Sequence, residues 1–161
     1  MQKEEDKRKG RRRIHSDRPQ TDEKVKQTIK EAEAALLGQL SSFTVKGLNA
    51  FQRKMIHRHF EKTQEYKSKS YRENDNEYIM KIFPVGQLRR FAEQKAQEVL
   101  MKGESEVLPP MGAFERFVIH EYLKDRSGIR TESYGEGPER HIEITPVFGR
   151  TLKKAKRRLT R

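Results

Sequence analysis

The 161-residue chain contains no cysteine, which excludes a disulfide framework, a thiolate zinc site and a cysteine nucleophile. Apolar residues are also scarce: 32% are hydrophobic and 37% charged, against roughly 45–50% and 25% in an average globular chain. One large apolar core along the whole length is therefore not expected. No apolar run approaches the ~20 residues of a membrane-spanning helix, so no membrane partner is expected. The opening segment MQKEEDKRKGRRR lacks the apolar stretch of a secretion signal, and its acidic residues do not fit a transit peptide. A soluble, cytoplasmic protein is the expectation.

What the chain has in excess is positive charge, a formal +12, and it is unevenly placed. Residues 1–30 hold 11 basic and 6 acidic groups, residues 31–146 hold 18 of each, and residues 147–161 hold 7 basic groups and no acid. A neutral middle is thus flanked by basic tails, 1–21 and 149–161, which are expected to be disordered. Lys7–Lys9 and Arg11–Arg13 lie in the first; Lys153, Lys154, Lys156, Arg157 and Arg158 lie in the second. Arms of this kind neutralise phosphates and release counterions, giving salt-sensitive affinity without sequence preference. They lack the apolar face of a membrane-surface helix.

The middle repeats itself. Asn49–Tyr71 overlays Gly112–Tyr134 at an offset of 63, with identities that include Phe51/Phe114, Arg53/Arg116, Ile56/Ile119, His57/His120 and Ser70/Ser133. Beyond the following turn the offset becomes 62, because Met80 and Ile82 must match Ile142 and Ile144. Ile142 and Ile144 alternate with His141, Glu143 and Thr145, the alternating apolar set of the first copy is Tyr78, Met80 and Ile82, and a one-residue slip would turn each side chain to the other face.

Each copy reads helix, loop, helix, strand, turn, strand. Amphipathic first helices are expected over roughly 22–40 and 86–102. Second helices start at Asn49, with Gln52 three residues on, and at Gly112, with Glu115. Strands are expected at Tyr66–Tyr71, Tyr78–Phe83, Ile129–Tyr134 and Arg140–Thr145, and Gly135, Gly137 and Pro138 tighten the second turn. The fold class expected is α+β: two tandem small modules, 22–85 and 86–148, each a short antiparallel sheet with two helices packed on one face. Units of about 60 residues are near the lower limit for independent folding, so the two should pack together. Phe51, Phe60, Phe114 and Phe117 are assigned to the core, with Tyr71 and Tyr134 at strand ends beside the turns.

In both copies an arginine and a histidine fall four residues apart on the second helix, Arg53 with His57 and Arg116 with His120. They are surface neighbours placed beside the apolar face, with rings expected to be accessible. A guanidinium grips phosphate bidentately, and an imidazole bonds to phosphate or stacks on a base. His57 and His59 point apart on a helix and have no third partner, so no metal site is expected.

The second copy joins this pair to P-M-x-x-x-E-R at Pro110–Arg116 and S-x-G-E-G-P-x-R at Ser133–Arg140. In these residues it resembles the R-3-H domain family, named for R-x-x-x-H and associated with single-stranded nucleic-acid binding, and in particular the module of bacterial Jag proteins. Residues 105–146 carry the resemblance, and 25–84 follow only through the repeat. It implies a small antiparallel sheet with two helices on one face, and Arg116, His120, Ser133, Gly135, Glu136, Gly137 and Arg140 as binding residues. Arg53 and His57 are their counterparts in the first copy. There Glu77 or Tyr78 replaces Arg140 and RENDNE replaces the glycine turn, so that corner is expected to suit an anion less well. Jag proteins also carry a KH domain before this module; no G-x-x-G is present between helices here, and the first copy takes its place.

The expected function is non-enzymatic binding of single-stranded RNA or DNA, RNA ahead of DNA, with no cofactor and no small-molecule substrate. A nuclease would need a second acid–base group or a carboxylate cluster beside His120, and neither occurs at a recognisable spacing. The other readings are a ribosome-associated or assembly protein, and a protein–protein adaptor with a structural core.

Overall fold

The computed structural model describes residues 18–75 and 77–147, with side chains from Glu23 onward. The polybasic runs at 7–13 and 153–158 lie outside the described residues. The fold is mixed α+β. The described residues form, in chain order, α1 (Arg18–Leu36), β1 (Phe43–Val45), α2 (Ala50–Phe60), β2 (Lys67–Arg72), β3 (Tyr78–Phe83), α3 (Val85–Lys102), β4 (Glu106–Val107), α4 (Ala113–Leu123), β5 (Ile129–Tyr134) and β6 (His141–Pro146). A 3-10 turn at Gly137–Glu139 precedes β6.

Two three-stranded antiparallel sheets result, ordered β1-β3-β2 and β4-β6-β5. In the first hairpin Ser70 faces Met80 and Ser68 faces Ile82. In the second Ser133 faces Ile142 and Thr131 faces Ile144. Met80, Ile82, Ile142 and Ile144 are all fully buried, each pair two residues apart on one face of its strand. The third strand of each sheet has no counterpart in the sequence pattern. Both β1 and β4 are edge strands, and their partners lie far along the chain: Phe43 pairs with Ile82, and Glu106 with Ile144.

Local signals explain the helix ends. The Asn49 side chain accepts a bond from the Gln52 amide at 2.8 Å, while the Gln52 side chain accepts one from the Asn49 amide at 2.9 Å, a reciprocal cap. At the start of α4 the Glu115 carboxylate lies over Gly112, and a Cβ there would stand 2.3 Å from Oε2. Expected over roughly 22–40, α1 starts earlier, at Arg18 within the segment assigned to the basic arm, and ends at Leu36, with Gly38 at φ +74° just beyond; glycine tolerates this left-handed turn. The hairpin turn after β5 needs glycine more strictly. Gly135 has φ +85°, and a Cβ would lie 2.9 Å from the Glu139 carbonyl oxygen. Arg140, expected to begin the last strand, caps the 3-10 turn instead, and the strand starts at His141.

Each sheet has its own core. Val25, Leu36, Ile56 and Phe60 bury against Met80 and Ile82; Leu88, Val99, Ile119 and Leu123 bury against Ile142 and Ile144. The two halves also touch. Phe83 belongs to the second core and lies 4.4 Å from the Phe114 ring. The Gly86 amide donates to the Glu65 carbonyl at 2.9 Å, and Arg90 pairs with Glu65 at 2.9 Å.

Two of the four phenylalanines assigned to the core are not in it. Phe51 is 55% and Phe117 57% exposed. The inward stripe of α2 is Gln52, Ile56 and Phe60, and that of α4 is Glu115, Val118, Ile119 and Leu123. Phe51 and Phe117 fall between these stripe positions on the outer side of their helices. Phe114 is half-buried, and Tyr71 and Tyr134 are exposed.

Candidate nucleic-acid interface

The Arg–His pairs occupy matching places in the two halves, and each makes the same internal bonds. Arg116 Nη1 donates to the Met111 carbonyl at 2.6 Å, and Arg53 Nη1 donates to the Leu48 carbonyl, also at 2.6 Å. Each guanidinium thus ties its helix to the loop that enters it. His120 spans two strand hydroxyls, with Nδ1 2.8 Å from Thr131 Oγ1 and Nε2 2.7 Å from Ser133 Oγ. His57 does the same with Ser68 Oγ at 2.6 Å and Ser70 Oγ at 3.0 Å. All four side chains are half-buried, less open than their place on the helix suggested, because each ring lies across its own hairpin.

One bond leaves most of each arginine available, since a guanidinium has five N–H donors. The Arg140 carbonyl accepts the Met111 amide at 3.2 Å. That brings the backbone of exposed Arg140 to the loop residue that Arg116 holds. Arg116, His120, Ser133 and the Gly135–Arg140 turn therefore share one end of the second half, with Gly135, Glu136 and Gly137 exposed. In the first half the Arg53 guanidinium stacks over the Tyr78 ring, 4.4 Å from its centre. The neighbouring turn there carries Glu73, Asp75 and Glu77, the unfavourable side expected for an anion.

His120 titrates below its ordinary value, because burial disfavours the imidazolium and the Arg116 charge adds to that penalty. The neutral ring donates from one nitrogen and accepts at the other, so one hydroxyl accepts and the other donates. The depressed pKa fixes the sign of a pH effect. The unfolded chain takes up the proton first as pH falls, so this stabilisation is complete above the ordinary histidine pKa of 6.5 and is lost below it. The melting temperature of the wild type is expected to fall more between about pH 7.5 and about pH 5 than that of His120→Gln. Parallel curves for the two proteins would contradict the assignment.

Two features of the site are not announced by the motifs. One is the hydroxyl clasp, whose signal was Ser68 and Thr131 at the same offset of 63 as the histidines. The other is the charge on the outer flank of α2. Lys54, Arg58 and Lys62 stand where α4 and its following turn have Phe117, Glu121 and Asp125.

Comparison with known families supplies the assignment for the second half: the R-3-H domain family matches residues 86–146. That segment is similar to an R-3-H domain. It takes in nearly all of α3 and the whole of β4, α4, β5 and β6, and so contains the Arg116–His120 corner and the Gly135–Arg140 turn. The match covers less than half of the chain, and residues before Gly86 lie outside it.

RNA-binding protein KhpB of Lactiplantibacillus plantarum is 39% identical to this chain over 57 residues, covering 35% of this chain and 18% of that protein. The chain therefore matches less than a fifth of that relative's length. No helix among the described residues is long and apolar enough to cross a membrane.

Proposed function

We propose that the chain binds single-stranded nucleic acid, RNA ahead of DNA, as a binding protein without a reaction of its own. The observation that carries this reading is the R-3-H match over 86–146, which includes the Arg116–His120 corner. The free N–H groups of Arg116 take a phosphate oxygen, and His120 and Ser133 form the polar wall beside it. Arg140 adds a second cation, and the Gly135–Glu136–Gly137 turn offers exposed backbone amides and one carboxylate to a base edge. Residues 22–85 and 86–148 act as two tandem modules, with Arg53 and His57 as a second corner. The tails, through Lys153, Lys154, Lys156, Arg157 and Arg158, supply salt-dependent affinity.

The test is a titration of the full chain against fluorescent single-stranded RNA, single-stranded DNA and duplex DNA at two salt concentrations. RNA is expected to bind tightest, and a preference for single strands over duplex should persist at the higher salt. Equal affinity for all three, vanishing together as salt rises, would reduce the protein to its polybasic tails and overturn the reading.

A further inference from the structure

We propose that the outer flank of α2, in the half that the family match does not reach, is a phosphate track for the backbone of the same single strand. The inference rests on the nucleic-acid reading above and extends the Arg53–His57 corner along the helix flank.

A concavity of about 530 Å³ runs along this flank. Arg53, Lys54, Arg58 and Lys62 line it, with His57 and Ser70 from the clasp also at its wall. Glu61 is the one acidic residue among its lining. Lys54 and Arg58 are separated by one helical turn, about 6 Å of rise, and Lys62 continues the row in the turn after α2. The row can therefore meet successive phosphates of an extended strand. Phe51, exposed and three residues before Lys54, offers a face on which a base can stack at one end.

Lys54, Arg58 and Lys62 are exposed and form no ion pair or side-chain hydrogen bond among the described residues. Several cations elsewhere are paired: Lys46 with Glu73, Arg90 with Glu65, Lys95 with Glu98 and Arg126 with Glu93. Like charges gathered in a concavity repel one another, and an anion laid along them removes that repulsion. The matching flank of α4 cannot serve this way. It carries Phe117, Glu121 and Asp125, and its Lys124 is held by Glu121 at 2.6 Å. The acidic turn at Glu73–Glu77 closes the other side of the first corner, so a strand would follow the helix flank rather than the hairpin. The two halves then divide the work, the first gripping backbone and the second adding the R-3-H corner.

The test uses the full chain with three simultaneous substitutions, Lys54→Ala, Arg58→Ala and Lys62→Ala, and a fluorescent oligouridylate as probe. Retention of fold is checked by circular dichroism. A control removes the same charge from exposed residues elsewhere, Lys26→Ala, Lys30→Ala and Lys102→Ala. The groove variant is expected to bind ~10-fold or more weakly at low salt, and its log–log salt slope should shrink by about 2, since each single-strand phosphate contact contributes about 0.7. The control should stay near the wild type. Equal losses in both variants, or none in the groove variant, would overturn the track and leave the nucleic-acid reading standing. A wild-type chain that binds no single strand would overturn both.

Discussion

Replacing Ile119 with alanine is expected to lower the unfolding free energy by about 2–5 kcal/mol. Ile119 is fully buried on α4, in the core that also holds Ile142 and Ile144. Truncation removes apolar contacts and leaves a void that close-packed neighbours fill only in part. It also loosens the helix that carries Arg116 and, at the next position, His120. Urea denaturation should show a lower midpoint with an unchanged slope. Leu37→Ala, at a position 78% exposed, should stay within about 0.5 kcal/mol of the wild type. A loss below about 1 kcal/mol at Ile119 would mean that the second core can collapse around the missing atoms.

The second large effect is on binding. Arg116→Ala combined with His120→Ala is expected to weaken binding of a single-stranded oligonucleotide about 10- to 100-fold, the range for losing hydrogen bonds to a charged group. Both residues also hold the fold, through the Met111 carbonyl and the β5 hydroxyls. The measurement therefore belongs well below the melting temperature of the variant, with circular dichroism confirming a native spectrum. The matching pair Arg53→Ala and His57→Ala is expected to lose less, because Lys54, Arg58 and Lys62 remain along that flank. The second half has no such row to fall back on. Equal losses from the two double variants would mean that the corners contribute alike and that the basic flank adds nothing.

Much of the hairpin and helix arrangement was legible because its signals are local. Asn49 and Gln52 mark a helix start three residues apart, and the reciprocal bonds are there. Alternation at Met80, Ile82, Ile142 and Ile144 identified the buried face of both hairpins. The site was legible in part. Arg116, Ser133 and Arg140 could be named from their motif, but the bonds of Arg116 and His120 could not. A guanidinium aimed at the carbonyl five residues back, or an imidazole spanning two hydroxyls of the next strand, depends on how helix and hairpin pack.

By itself the sequence determined the features that near neighbours set: caps, alternation, the glycine turn after β5, the neutral middle and its basic flanks. Tertiary structure decided the rest. The strands β1 and β4 are too short to announce themselves and exist because distant β3 and β6 have an edge to pair. Phe51 and Phe117 are hydrophobic by type yet lie outside the buried stripe, since burial depends on which helical face meets the sheet. Lys54, Arg58 and Lys62 became a row lining a concavity only when α2 settled against β2, because charge is read along the chain but acts through space.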